Sequence, residues 1–505
     1  MKIHFRKLTA SLFFMASIAG ANTLQTQAGR IEGEALGQIN RYLGIPYAQP
    51  PTGPLRWKAP RDPQPWSGVR SAKSFASPCA QKGNIFTSSK PEEFETNVGS
   101  EDCLYLNVWS PRDQGHLKPV VLFIHGGSNY MGAASLSLYD SSRLALEANA
   151  VVVTTNYRLG FFGALAMPPL HEGNPLDDSG NYTTLDLIQA LTWIQKNAAQ
   201  FGGDPRNVTV MGQSAGCMNV WGLVQSPLAK GKFHKAICLS GVPNAYPKIV
   251  AESYAVTLLA HLLINDHMAA DEKEAKKVIA NMPKDSIRDY MRSRTTAQIV
   301  AASNQIIIPV QHITDGLVIP AQGFGNLALG QFNRVPLMLG TVQNETGLLE
   351  LLPFIDGGQR HFWSLMNADP RTVNTSDFMS PAIYPAYKAQ TFSIDQSLRF
   401  GIDELADGAS LYTPVYRYHF AWNQAPAPWD EVLGSFHGLD LAFIFGTFES
   451  TKPNLMHFAW TPENQAHREQ LHQQMVLAFR SFFEQGNPGP EWKRWNLTHP
   501  AQSWK

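Results

Sequence analysis

Ser214 lies in GQSAG (212–216), with the apolar run NVTVM before it and a small-residue stretch after it. In the G-x-S-x-G pattern the chain turns sharply from strand to helix, which lifts the serine hydroxyl clear of a sheet for attack on a carbonyl carbon. The residues two before and two after must be very small because strand and helix cross closely, and Gly212 and Gly216 meet that demand. An acyl-transfer serine also needs backbone N–H groups aimed at the oxyanion that forms, each worth on the order of 3 kcal/mol in the barrier. Ala215 can supply one, from a helix N-terminus that adds positive partial charge. The others belong to a loop after an earlier strand, and HGGSN (125–129) stands in that place, where Gly126 and Gly127 let the amides turn toward the serine.

An acid and then a histidine should follow, in loops at the carboxyl ends of later strands. VQNETG, after the run VPLMLGT, offers Glu345 as the acid. GSFHGLD, beyond TPVYRYHFAW and a Pro-rich loop, offers His437 as the base, flanked by Gly434 and Gly438. His419 falls inside the preceding run and reads as structural, while Asp440, three residues past His437, reads as a polar support.

The elements that must position these residues are visible as alternating patterns. PVVLFIHGG (119–127), AVVVTTNYRLG (150–160), NVTVMG (207–212), FHKAICLSG (233–241), VPLMLGT (335–341) and TPVYRYHFAW (413–422) read as buried strands. The stretch 180–203 carries Leu185, Ile188, Leu191 and Ile194 at helical spacing and closes on a Gly pair. Apolar strands separated by helices predict an α/β fold, a mostly parallel sheet covered on both faces. The region from about 247 to 300, centred on DEKEAKKV, reads as a solvated helical excursion without chemistry of its own.

At roughly 150 residues per domain, 505 residues suggest three domains. One catalytic set spread from the HGG loop to His437 needs a single sheet, so residues 22–505 are expected to form one domain. Lys2, Arg6 and Lys7, an apolar stretch from Leu8 to Ile18 and Ala19-Gly20-Ala21 have the form of a signal peptide over 1–21, cut after Ala21. The mature chain is therefore expected in a periplasm or outside the cell, with no stable membrane span. That oxidising setting makes Cys79 and Cys103 candidates for a disulfide. Cys217 and Cys238 could lie close together, one after the nucleophile and one on the next strand; buried free thiols are the favoured reading. Composition is 44% hydrophobic and 16% charged, with 41 basic against 41 acidic side chains. The apolar content excludes a disordered scaffold, and the absence of a basic excess argues against nucleic acid as a partner.

SEDCLYLNVW (100–109), the HGG loop, NYRLGFFG (156–163), FGGDPRNVTVMGQSAG (201–216) and FHGLDLAFIFG (436–446) resemble the type-B carboxylesterase and cholinesterase family of α/β-hydrolases. The likeness runs from IPYAQPPTGPLRW, near residue 45, to FFEQGNPGPEW (482–492). It implies Ser214 as nucleophile, Glu345 as acid, His437 as base, and an oxyanion hole from the amides of Gly127, Ser128 and Ala215. It also implies a Cys79–Cys103 disulfide beside the active-site gorge, and a supporting place near the triad for Ser240.

Some positions depart from the family's pattern. Ser128 replaces a glycine or alanine, so its Cβ narrows the alcohol side of the pocket, and Asn129 replaces an aromatic residue. Gln213 replaces the glutamate of cholinesterases, and no tryptophan lies between Cys79 and Cys103. A quaternary ammonium substrate thus loses both its anionic neighbour and its cation–π partner. The expectation is an exported serine carboxylic-ester hydrolase acting on small-molecule esters without metal or other cofactor. An amidase, lactonase, thioesterase or polyester hydrolase would use the same triad, and a non-catalytic adhesion relative is the remaining class. Oligomeric state stays open.

Overall fold

The computed structural model describes residues 22–113, 115–306, 312–351, 355, 357–448, 454–496 and 498–505. The expected signal segment, 1–21, lies outside the described residues.

Ten strands form one sheet: β1 Glu34–Leu36, β2 Ile39–Pro46, β3 Tyr105–Pro111, β4 Lys118–Ile124, β5 Val151–Thr155, β6 Gly203–Gln213, β7 Lys235–Leu239, β8 Leu337–Val342, β9 Val415–Phe420 and β10 Gln502–Trp504. Their spatial order is β10-β9-β8-β7-β6-β4-β5-β3-β2-β1. From β10 to β5 every pairing is parallel, and the three N-terminal strands add on in antiparallel fashion. This is the α/β-hydrolase architecture.

Every residue of β4 and β5 is buried, which is why both read as unbroken apolar runs rather than alternating ones. Successive side chains still point to opposite faces: Val121 and Phe123 join one apolar core, Val120, Leu122 and Ile124 the other. Helices cover both faces. Helix α1 (Tyr182–Asn197) and helix α2 (Ala215–Gln225) are almost wholly buried, and α2 packs on β6 and β7.

The expected strands are all present; β5, β7 and β9 are shorter at both ends than their apolar runs, whereas β6 extends past its run at both ends. The excursion is helical as expected, with α3 Lys248–Asn265, α4 Glu272–Asn281, α5 Lys284–Ser293 and α6 Thr296–Ser303. Its solvated character is confined to the middle. Leu258, Leu259, Leu262 and Leu263 of α3 are buried in a third apolar core with Phe161 and Phe162. Among the described residues no helix is long and apolar enough to cross a membrane.

Cys79 and Cys103 are joined, with Cα atoms 4.9 Å apart. Cys217 and Cys238 are also joined, with Cα atoms 4.6 Å apart, which corrects the reading of both as free thiols. The reason lies in the packing of α2 on β7. The first turn of the helix sets Cys217 directly over the face of β7 to which Cys238 points, and both sulfurs share one apolar core.

Candidate active site

Strand β6 ends at Gln213 and α2 begins at Ala215, so Ser214 alone makes the turn. It does so at φ 58° and ψ −124°, a strained conformation for a residue with a Cβ. The neighbours hold it there: its N–H donates to the Leu239 carbonyl at 2.8 Å and its carbonyl accepts from Met218 at 3.1 Å. A methyl on Gly212 would strike the Gly216 carbonyl, and one on Gly216 would strike the Ile124 carbonyl. Both glycines are therefore demanded by close backbone approach, as the pattern predicts.

The HGG loop leaves β4 and reaches the same turn. A Cβ on Gly126 would lie 3.0 Å from the Ser214 Cβ. Gly127, Ser128 and Asn129 follow at φ 104°, 55° and 58°, three consecutive left-handed residues that swing the backbone round. Among the described residues, no group accepts a hydrogen bond from the amides of Gly127, Ser128 or Ala215. Several partners pin the loop. Gln81 donates to the Gly132 carbonyl and accepts from its N–H, at 2.9 and 2.8 Å. Asn129 pairs with Asn219 of α2, and the Asn129 carbonyl accepts from Gly160 at 2.7 Å.

Glu345 follows β8 and is 2% exposed. One of its oxygens accepts the Val342 N–H at 2.9 Å, and the other takes Nδ1 of His437 at 2.8 Å. A carboxylate in that position can only accept, so His437 carries its proton on Nδ1 and leaves Nε2 as the basic nitrogen. Nε2 is buried and makes no hydrogen bond within the described residues. Two backbone-level links join the loops that bear acid and base: Asn344 donates its N–H to the Ser435 carbonyl at 3.0 Å, and Ser435 donates to the Asn344 side chain at 3.1 Å. His437 also stands beside the serine turn, since a methyl on Gly438 would lie 3.7 Å from the Gln213 amide nitrogen.

The surroundings explain the remaining polar residues. Ser240 is buried, and a Cβ on the next residue, Gly241, would lie 2.7 Å from the Ser214 carbonyl. Asp440 lies in the first turn of helix α7 (Leu439–Phe445) and accepts from the Tyr418 hydroxyl at 2.7 Å. Burial, with Glu345 nearby, pushes its carboxyl up to about 6 despite that hydrogen bond. His419 is structural: burial and the Arg399 and Arg417 charges push it down to about 4, and its neutral ring meets Thr341 and Arg399 at 3.1 and 3.2 Å. Thr346, next to Glu345, donates through both N–H and hydroxyl to Asp395 at 2.8 Å. Asp395 belongs to the long helix Tyr384–Ser410. Gln81, Asn219 and Asp395 carry no local sequence signal, because their partners are brought to them only by the fold.

Gly127, Ser128, Ser214, Ala215, Ser240, Glu345 and His437 are thus brought to one end of the sheet, around the β6–α2 turn. A family model described as the carboxylesterase family matches residues 20–504. The para-nitrobenzyl esterase of Bacillus subtilis (strain 168) is 32% identical over 483 residues, covering 94% of this chain and 92% of that protein. The fumonisin B1 esterase of Sphingopyxis macrogoltabida is 33% identical over 407 residues, covering 78% of this chain and 70% of that protein. A crystal structure of a Geobacillus stearothermophilus carboxylesterase superposes with a TM-score of 0.74 at 27% identity, covering 96% of each chain. The chain belongs to the carboxylesterase family, and it is a carboxylesterase.

Proposed function

We propose that Ser214, His437 and Glu345 form the catalytic triad of an exported esterase that works through an acyl-enzyme. The observation that carries this reading is the 2.8 Å hydrogen bond from His437 Nδ1 to Glu345, which leaves Nε2 basic beside the serine turn. Nε2 takes the Ser214 proton as Oγ bonds to the ester carbonyl carbon, and the carbonyl oxygen becomes an oxyanion facing the amides of Gly127, Ser128 and Ala215. Collapse breaks the C–O bond to the alcohol, which leaves with the proton from His437. Water, deprotonated by the same nitrogen, then attacks the acyl-enzyme, and Ser214 recovers its proton as the acid departs. Glu345 keeps Nδ1 protonated and stabilises the imidazolium formed in each half-reaction.

Residues 22–505 act in this reading as one catalytic domain behind a cleaved export segment. The two disulfides support export, because such bonds persist in oxidising compartments. The substrates are small uncharged esters with short or medium acyl chains. The relatives named for a para-nitrobenzyl ester and for fumonisin B1 support ester chemistry rather than one substrate.

The test is turnover of nitrophenyl esters of graded acyl length by the mature protein and by Ser214→Ala. Loss of turnover and of labelling by a fluorophosphonate in the variant is the expected result. Retained activity would overturn the reading.

A further inference from the structure

Gly127 and Ser128 belong to the loop after β4, whereas Ala215 belongs to α2. The three amides can converge on one oxyanion only if those two segments are held in fixed relation, because donors must lie about 2.7–3.1 Å from the charge. The loop's own turn bonds, from the Tyr130 and Met131 N–H groups to the Gly127 carbonyl at 3.0 Å, do not reach α2, and the loop runs through three successive left-handed residues, two of which carry a Cβ. Such a path persists only where the surroundings over-determine it.

One side chain links both segments. Asn219 lies one helical turn beyond Ala215, at the i+4 position, and so projects from the same face of α2. Its amide nitrogen donates to the Asn129 side-chain oxygen at 2.8 Å, and the return contact, from the Asn129 nitrogen to the Asn219 oxygen, is 3.5 Å. Both residues are at most 3% exposed, so water does not compete for the pair. The backbone beside Ser128 is therefore tied to the helix that carries Ala215. The start of the loop is held separately, by the Tyr157 hydroxyl donating to the His125 carbonyl at 2.7 Å. An asparagine suits position 129 twice over, since it tolerates the left-handed backbone and offers an amide to its partner.

We infer that Asn219 is a positioning residue for the oxyanion hole. Acting through Asn129, it fixes the Gly127 and Ser128 amides relative to Ala215, so the transition state benefits while substrate binding does not. The inference rests on the proposed role of these amides.

The experiment compares Asn219→Ala, Asn129→Gly and the double variant, each checked for an unchanged melting temperature. Asn129→Gly keeps the left-handed backbone and removes only the side chain, so it remains informative where Asn219→Ala fails to fold. Either variant should lower kcat by roughly tenfold to a hundredfold, less than the 10²–10³ lost with a donor itself, while KM changes less than threefold. Affinity for a trifluoromethyl ketone, which forms a tetrahedral adduct, should fall in parallel, and the double variant should be no worse than the single ones. Unchanged kcat and ketone affinity, or losses that add independently, would overturn the inference. Full activity in Ser214→Ala would instead overturn the reading of the site beneath it.

Discussion

The Val342 N–H and Glu345 form a one-turn clasp at the end of β8: the amide holds one carboxylate oxygen at 2.9 Å and thereby directs the other at His437. Both lone-pair faces of the acid are thus assigned before any substrate arrives.

That clasp determines how the site should respond to Glu345→Gln. The Val342 N–H retains the side-chain oxygen, so the new NH2 group faces His437 Nδ1. The imidazole must then place its proton on Nε2, where it can no longer accept one from Ser214. A fall in kcat on the order of 10⁴, as expected for a histidine held in the wrong tautomer, should appear with little change in KM. Steady-state kinetics on a nitrophenyl ester measure it, and a loss below tenfold would contradict the tautomer argument.

Ser128 combines a left-handed backbone with a Cβ, which the family resemblance sets on the alcohol side of the pocket. Ser128→Gly relieves the backbone cost, about 1 kcal/mol, and opens the alcohol side. The expected outcome is a higher melting temperature and a selective gain in kcat/KM for esters of branched alcohols over primary ones. An equal gain for both would show that the Cβ does not shape the pocket.

Asp440 should shape stability at acid pH. Folded, it holds its proton up to about 6, whereas in the unfolded chain it releases it near 3.8. The native state binds the extra proton between these values, so this residue's contribution to stability falls as pH rises through that window and is flat above it. The difference corresponds to roughly 3 kcal/mol. Asp440→Asn cannot ionise, and its side-chain oxygen can still accept from Tyr418. Denaturant unfolding from pH 4 to pH 7 should therefore show the variant gaining on the wild type as pH rises. A constant gap across that range would refute the assignment.

All four cysteines should be oxidised in the folded protein. Thiol titration under denaturing, non-reducing conditions is expected to find none free, and one thiol pair would contradict the Cys217–Cys238 bond. Replacing that pair by alanines should destabilise the protein by about 3 kcal/mol, the chain-entropy cost of a loop spanning 21 residues.

Ser214 was legible from sequence because its demands are local: a strand, a helix and two glycines within one pentapeptide. Glu345 and His437 were legible through order, each following an apolar run that could only be a buried strand. Asn129 and Asn219 were not, since 90 residues separate them and only the crossing of loop and helix brings them together. The Cys217–Cys238 bond was misread for a similar reason: proximity was foreseen, but not the direct packing of α2 on β7. The long helix Tyr384–Ser410 escaped notice because few of its residues are buried and Phe392 and Phe400 are exposed, which blurs any apolar stripe. The short strand β10 offers three residues, QSW, too few to carry a period.

That last strand sets a timetable for the chain. β10 pairs with β9, and Trp504 packs against Tyr418 and Phe479 while its carbonyl accepts from Ala421. β10 is synthesised after every other strand of the sheet. Until it arrives, the outer edge of β9 is an unpaired template, and the segment leading to His437 is anchored on one side only.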